Sequence, residues 1–288
     1  PKLNLTRDVS SIPDYAFYKC TSLNAAIFPE TLTSIGKYAF SQTKLSGVSF
    51  PDSLLTIDYG AFQDCTSMGG NLDIPDLVTK IETRAFCGCP FTNSKLTVGK
   101  SLSTIGDYAF YQCGFNCPLN LPDVISIGAY AVYGCSGFSG PLVLHTESSE
   151  NTGETNEPYS DLTIGLNAFQ GCSGLTGQIP TNYLTQLTER SFADCKGFSG
   201  ILNLSKFTVI PPYAFYNCEN LNTLILPDTV TVIGKYAFYG CTNLEGPLEL
   251  PSIKTIGKYA FAKCSKLSGP LKFPISLSHI DDYAFSEC

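Results

Sequence analysis

Charged residues are scarce in this chain, and tryptophan is absent. Only 15% of the 288 residues are Asp, Glu, Lys or Arg, against about a quarter in ordinary globular domains. The surface must therefore rely on Ser, Thr, Asn, Gly and Tyr, which make neutral hydrogen bonds. The 18 basic residues are outnumbered by 25 acidic ones, the net charge is -7, and the sequence shows no basic cluster. We therefore expect neither nucleic acid nor an anionic membrane as a partner.

Long apolar runs and catalytic motifs are lacking as well. No apolar stretch approaches the roughly 20 residues that a membrane-spanning helix needs, so we expect no membrane insertion by this segment. The chain has two histidines, His145 and His279, and neither lies beside a nucleophile or a carboxylate pair. It also has no phosphate-binding loop, nucleophile elbow or paired metal ligands. We predict a protein that is not an enzyme and that uses no cofactor and no metal.

What the chain has in abundance is repetition. The stretch from Ile233 to Cys241, Ile-Gly-Lys-Tyr-Ala-Phe-Tyr-Gly-Cys, recurs twelve times with variations. Successive copies lie 22 to 24 residues apart, except for one step of 37 residues. A short unit at a fixed period predicts a solenoid in which every coil packs on its neighbours. The residues at the Phe position, called marker residues below, are Phe17, Phe40, Phe62, Phe86, Phe110, Val132, Phe169, Phe192, Phe215, Phe238, Phe261 and Phe285.

The complete unit is clearest from Leu221 to Cys241. Leu224 and Leu226 alternate with other residues, which is the period-two pattern of a half-buried strand. Pro227 ends that strand because proline has no amide hydrogen to donate to a ladder. A second short β-branched run and the Tyr-Ala-Phe turn follow. This pattern predicts one strand for each coil.

The two recurring motifs, Leu-x-x-Leu-x-Leu-Pro and Ile-Gly-x-x-Ala-Phe-x-x-Cys, resemble the BspA-like (Treponema-type) leucine-rich repeats over nearly the whole chain. The departures are mostly conservative: Val132 for Phe, Leu187 for Ile, Ser191 for Ala and Thr43 for Cys. The resemblance implies a leucine-rich repeat solenoid, a curved right-handed coil with a parallel β-sheet on its concave face and twelve repeats of about 23 residues. It also implies an extracellular or cell-surface protein that adheres to host cells, neighbouring cells or matrix.

One polar segment interrupts the repeats. We expect residues 1–288 to form a single leucine-rich repeat domain with a loop insertion at 145–161, because that stretch has no apolar periodicity. Either it is a tolerated surface insertion, or it contacts a partner or a cation through Glu147, Glu150, Glu154 and Glu157. The chain also stops at Cys288, the last residue of a repeat, without a capping sequence. We interpret it as an excerpt of a longer repeat protein.

Eleven of the thirteen cysteines occupy the same repeat position, which predicts a ladder of small buried side chains. Cys87 and Cys117 lie outside this ladder. With Cys89 and Cys113 they form a local group, which leaves a zinc site, a disulfide or two incidental thiols open. The ladder consists of Cys20, Cys65, Cys89, Cys113, Cys135, Cys172, Cys195, Cys218, Cys241, Cys264 and Cys288.

The strand alternation also predicts an outward-facing row. If Leu224 and Leu226 point into the coil, Ile225 between them points out. We expect the row to bind a protein ligand, although its mixed character indicates no particular one; the alternative is a structural spacer or stalk with no ligand of its own. The row consists of Ile27, Ser49, Asp73, Thr97, Asn120, Val143, Asn203, Ile225, Glu249 and Lys272.

Tyrosine precedes the Ala of most copies and often follows the marker residue. We expect these tyrosines to pack from coil to coil with their rings against the core and their hydroxyls in water. Either the repeat alone requires them, or they also serve an interface. The first set consists of Tyr15, Tyr38, Tyr108, Tyr130, Tyr213, Tyr236, Tyr259 and Tyr283, and the second of Tyr18, Tyr111, Tyr133, Tyr216 and Tyr239.

Overall fold

Short parallel strands recur from turn to turn of a solenoid. The computed structural model describes residues 1–5, 8–144 and 162–288. The chain forms about 11 turns of roughly 23 residues each. Among the described residues, short strands alternate with turns and irregular segments, and a single 3-10 helix, Thr181–Tyr183, occurs. The predicted leucine-rich repeat solenoid is therefore confirmed.

The Leu-x-Leu segments contribute the first kind of strand, which we call the row strands because they carry the outward row. They pair in parallel but only two at a time, as β1 with β3, β6 with β8, β11 with β13 and β14 with β16. Their bounds are β1 Lys2–Asn4, β3 Ala25–Ile27, β6 Leu72–Asp73, β8 Leu96–Thr97, β11 Gly140–Pro141, β13 Leu175–Thr176, β14 Gly200–Asn203 and β16 Leu221–Ile225.

The β-branched run after each proline contributes a second kind of strand, which we call the Ile strands. They form a parallel sheet of seven, in the order β12-β10-β9-β7-β5-β4-β2, and a parallel sheet of four, in the order β15-β17-β18-β19. Their bounds are β2 Ser11–Ile12, β4 Ser34–Ile35, β5 Thr56–Ile57, β7 Lys80–Ile81, β9 Thr104–Ile105, β10 Ser126–Ile127, β12 Thr163–Ile164, β15 Val209–Ile210, β17 Val232–Ile233, β18 Thr255–Ile256 and β19 His279–Ile280.

The prediction of one strand for each coil was wrong, because many coils have two. The longer ladders belong to the Ile strands and not to the row strands. Several row segments carry a proline two residues before the row position, namely Pro118, Pro141, Pro247 and Pro270. Each proline removes a ladder donor. The Ile strands contain no proline and are rich in β-branched residues, which favours continuous pairing.

The marker rings form the core. Neighbouring rings stack with centroids 5.1 to 6.0 Å apart and planes within 14° of parallel. Val132 takes the marker position between Phe110 and Phe169 and is wholly buried. Each stacked aromatic pair contributes about 0.5–1.5 kcal/mol beyond the burial of its area. The hydrophobic core is thus one continuous column that runs through the array.

The turn around each marker residue has an unusual backbone. The residue before the Ala has a positive φ in all twelve copies, between 53° and 60°, whether it is Tyr, Arg, Asn or Gly. The residue before the ladder position is left-handed in all twelve copies too. Such a conformation costs a non-glycine residue about 1–2 kcal/mol. The turn keeps this conformation because alternate amides of the turn donate hydrogen bonds to carbonyls of the next coil, as Phe17 N–H does to the Ala39 carbonyl at 2.8 Å.

The predicted cysteine ladder is confirmed, and it has a second function besides packing. In ten coils the thiol donates to the carbonyl of the marker residue in the preceding coil, at sulfur–oxygen distances of 3.0 to 3.3 Å. Thr43, which replaces a cysteine, is buried and lies 3.3 Å from the Cys65 sulfur. Each of these carbonyls already accepts the amide N–H of the ladder position in its own coil, as the Phe238 carbonyl does from Cys241 at 3.1 Å. The thiol of the next coil therefore supplies a second donor to a buried carbonyl, which has two lone pairs.

Truncating one ring of the column should destabilise the array strongly. Phe238 is wholly buried between Phe215 and Phe261, so Phe238→Ala leaves a cavity and should cost about 3–5 kcal/mol. The measurement is the urea midpoint followed by circular dichroism. Val209→Ala, at an exposed residue of an Ile strand, is the control and should cost less than about 1 kcal/mol. Equal losses in the two variants would contradict the ring column as the core.

Candidate binding face

The structure places the predicted row on the outside of the solenoid. Nine of its ten residues are exposed, and Val143 is half-buried. Several lie directly opposite one another in neighbouring coils: Asp73 faces Thr97, Asn120 faces Val143, Asn203 faces Ile225, and Glu249 faces Lys272. Ser49 is exposed but lies outside the strands. Ile27 pairs with Asn4, which the sequence-based row did not include.

Within residues 1–5, 8–144 and 162–288, grooves open between coils along this row, and three of them are labelled A, B and C. Groove A has a volume of 450 Å³, and its lining includes Lys95, Thr97, Asn116, Asn120 and Ser139. Groove B has a volume of 330 Å³, and its lining includes Gln178, Asn182, Asn203, Ser205 and Lys206. Groove C has a volume of 380 Å³, and its lining includes Pro247, Glu249, Pro270, Lys272 and Phe273.

The grooves differ in chemistry although the repeat is regular. Groove A presents one ammonium, two amides and two hydroxyls above the buried thiol of Cys117. Groove C is apolar, with four prolines and the half-exposed ring of Phe273 around one acid and one base. Groove B is polar, with the side-chain amides of Gln178, Asn182 and Asn203 and the hydroxyl of Ser205. The row is therefore a series of separate concavities and not a uniform strip.

Groove B contains residues that the sequence-based row missed. The copy from Leu175 to Pro180 is shortened, so no row residue was assigned to it. A signal was nevertheless present, because Gly177 corresponds to Gly140 and Gly200, and all three have a positive φ between 74° and 82°. Alignment on these glycines places Gln178 two residues before the row, where it lines the groove. The helix at Thr181–Tyr183 then adds Asn182, which no periodicity indicates.

The four loop candidates, Glu147, Glu150, Glu154 and Glu157, lie outside the described residues. The choice between a surface insertion and a partner or cation contact at 145–161 therefore stays open.

The tyrosines form stacked columns, as predicted. Tyr213, Tyr236, Tyr259 and Tyr283 stack in succession with centroids 4.8 to 4.9 Å apart. In the second set, Tyr111 stacks on Tyr133 and Tyr216 on Tyr239, at 5.0 and 5.1 Å.

Arginine takes the tyrosine position in two coils. Arg84 lies over the Tyr108 ring at 5.2 Å, and Arg190 over the Tyr213 ring at 3.9 Å. In ten of the twelve copies this position thus holds Tyr or Arg, flat side chains that can stack on the next coil, and Gly60 and Asn167 occupy it in the other two. This favours the interpretation that the repeat itself requires the tyrosine columns.

The two cysteines outside the ladder are separate thiols. All thirteen cysteines are free. Cys117 is buried beneath groove A, where its sulfur accepts the Leu96 amide at 3.3 Å. Cys87 is half-buried, and burial raises the pKa of its thiol to about 11. No group of three potential ligands that could hold a metal lies within the part of the chain that the structure describes. Of the three interpretations, the two incidental thiols fit best.

The family model for the BspA type leucine rich repeat region matches the chain in six copies, over residues 1–116, 70–140 and 162–288. The chain belongs to this leucine-rich repeat family. The predicted resemblance is therefore confirmed. No curated protein matches the chain. Over residues 1–5, 8–144 and 162–288, no helix has the length and apolarity required to cross a bilayer.

Two solved structures share the fold over nearly the whole chain. A leucine-rich repeat protein from Bacteroides ovatus is 25% identical with a TM-score of 0.61, and the match covers 99% of this chain and 70% of that one. A leucine rich cell surface protein from Faecalibacterium prausnitzii is 23% identical with a TM-score of 0.56, and the match covers 100% of this chain and 82% of that one. The second likeness establishes the fold alone.

Thiol accessibility tests the ladder. Cys20 and Cys288, at its two ends, are exposed, whereas the other nine ladder thiols are buried. We expect only these two ladder thiols to react rapidly with a thiol reagent in the native protein, and the interior ones to react after denaturation. The number of reacted thiols is measured from the absorbance of the chromophore that the reagent releases, before and after adding guanidinium. Rapid reaction of Cys113 or Cys218 in the native state would contradict the buried ladder.

The ladder should also make stability depend on alkaline pH. Burial raises the pKa of Cys113 and Cys218 well above the usual range and that of Cys241 to about 12. Burial favours the neutral thiol, so each thiol contributes to the free energy of unfolding. This contribution is fully present below the unfolded-state pKa of about 8.5, and above that pH it decreases by about 1.4 kcal/mol per pH unit for each thiol. The urea concentration at the unfolding midpoint should decrease as the pH is raised from about 8.5 to about 10.5. Cys241→Ala should make the fall shallower, and an unchanged slope would contradict this origin.

Proposed function

We propose that this chain is a non-enzymatic, protein-binding module of a bacterial cell-surface protein, which adheres to host cells, neighbouring cells or matrix. The observation that supports the proposal is the row of exposed residues, with three differently lined grooves, on a regularly stacked scaffold. Family membership and the likeness to the cell surface protein of F. prausnitzii support the surface location. The partner we propose is a protein that meets the row through shape and neutral hydrogen bonds.

The physical basis is the contrast between scaffold and surface. The marker rings, ladder thiols and tyrosine columns repeat with little change, whereas the row changes character from coil to coil. Asp73 and Thr97 are followed by Asn120, then by apolar Val143, polar Asn203 and apolar Ile225, and then by the Glu249–Lys272 pair. A rigid support that presents variable side chains keeps the conformational cost of binding small. In this proposal, residues 1–288 act as one recognition unit.

The alternative function is a structural spacer with no ligand of its own. The continuous ring column and the coil-to-coil hydrogen bonds favour it, because they make a stiff array that could hold other parts of a protein away from the cell. In that case the composition of the row would have no consequence for binding.

Binding to extracellular matrix proteins and to intact epithelial cells distinguishes the two functions. Asn203→Arg, Ile225→Arg and Glu249→Arg place long cations on the row and should weaken a saturable interaction about tenfold or more, with thermal unfolding unchanged. The control is Val209→Arg, at an exposed residue of an Ile strand, which should bind like the native chain. If no variant changes binding to cells and only removal of coils does, the spacer is the correct function.

A further inference from the structure

Groove B differs from the other two in how it is built. It lies where the short helix Thr181–Tyr183 replaces the usual continuation of the row strand. Its walls carry the side-chain amides of Gln178, Asn182 and Asn203 with the Ser205 hydroxyl, and Ile179 and Phe207 form a buried base. Its volume, 330 Å³, is at the lower end of the range for small-molecule sites.

The walls of groove B are fixed by two hydrogen bonds between its coils and one within a coil. The buried Thr181 hydroxyl donates to the Asn203 carbonyl at 2.6 Å. The Lys206 ammonium donates to the Asn182 carbonyl. The Ser205 amide donates to the Asn203 side-chain oxygen at 3.0 Å, which sets the orientation of that amide. The groove is therefore preorganised, which lowers the cost of ordering a ligand.

The remaining hydrogen-bonding groups point to the chemistry of the ligand. The amide nitrogen of Asn203 and the side-chain amides of Gln178 and Asn182 make no hydrogen bond within the described parts of the chain, and neither does the Ser205 hydroxyl. Each primary amide offers donors and an acceptor in one plane. Such a set suits a ligand whose groups both donate and accept, as hydroxyls do.

The charges of groove B favour an uncharged ligand. No carboxylate lines it, so a cation has no counter-charge, and its one ammonium, that of Lys206, uses one of its three N–H donors on the Asn182 carbonyl and offers an anion only a single charge. Apolar ligands would leave three amides without partners, which is costly. Ile201 is 43% exposed beside these amides and offers an apolar contact for C–H groups. An uncharged ligand with several hydroxyls and one apolar face meets all these conditions.

We propose that groove B binds a neutral saccharide unit, such as an uncharged hexose or N-acetylhexosamine at the end of a glycan. The amides of Gln178, Asn182 and Asn203 bond to its hydroxyls, and Ile201 packs against its ring. The site shares Asn203 with the row, whereas Gln178 and Asn182 are not members of it. Substitutions at Gln178 or Asn182 can therefore remove glycan binding without changing the row.

The test is binding of the purified chain to an array of neutral glycans, with sialylated and sulfated glycans as charged comparators. We expect saturable binding to at least one neutral glycan. Gln178→Leu and Asn203→Asp should each weaken it about tenfold, because both remove an amide donor. Asn203→Asp keeps the oxygen that accepts the Ser205 amide. Asn120→Leu, at the equivalent row position of groove A, is the control and should bind like the native chain.

Three outcomes would overturn this proposal: no binding to any neutral glycan, binding to charged glycans alone, or binding that survives both variants of groove B. Thermal unfolding of each variant checks the fold. If Gln178→Leu destabilises the chain, Gln178→Glu replaces it, because it keeps the length of the side chain and removes the amide donor. Matrix-protein binding, measured in parallel, should not change in the Gln178 variants, which separates this site from the row.

Discussion

Each coil is held to the next by hydrogen bonds from the turn that carries the marker residue. Two left-handed residues in that turn point alternate amides toward the neighbouring coil, and the same turn aligns the ring, the thiol and the tyrosine in their columns. The free-energy cost of these left-handed residues is offset by hydrogen bonds that form only when the coils are stacked. The columns, the row and the grooves depend on this turn, because it sets the register from one coil to the next.

Much of this arrangement could be predicted from the sequence, because the period places each residue type at a fixed point of the coil. The marker column, the cysteine ladder and the outward row follow from alternation and spacing alone. The number of strands could not be predicted from alternation and spacing. Whether Leu-x-Leu pairs continuously depends on prolines such as Pro247 and Pro270 in adjacent coils, and the Ile strands are only two residues long, too short for a periodic signal to be distinct.

The candidate site was only partly predictable for a related reason. Alternation fixes which side chains face outward, as it did for Thr97, Asn203 and Glu249, but it does not predict groove B, which lies where the repeat departs from its pattern. The shortened copy near Pro180 gave no row residue, and it is there that the chain inserts a helix and brings Asn182 toward Asn203. At groove B, the departure from the repeat determines which side chains come together, and no periodic pattern could indicate it.

The coil-to-coil hydrogen bonds have a mechanical consequence. They run along the solenoid axis, so tension applied to the two ends loads them one after another, and the terminal coil peels away before its neighbour does. Each coil of roughly 23 residues would release about 80 Å of extended chain. An array built in this way would lengthen stepwise under tension and limit the force on whatever is attached to its ends.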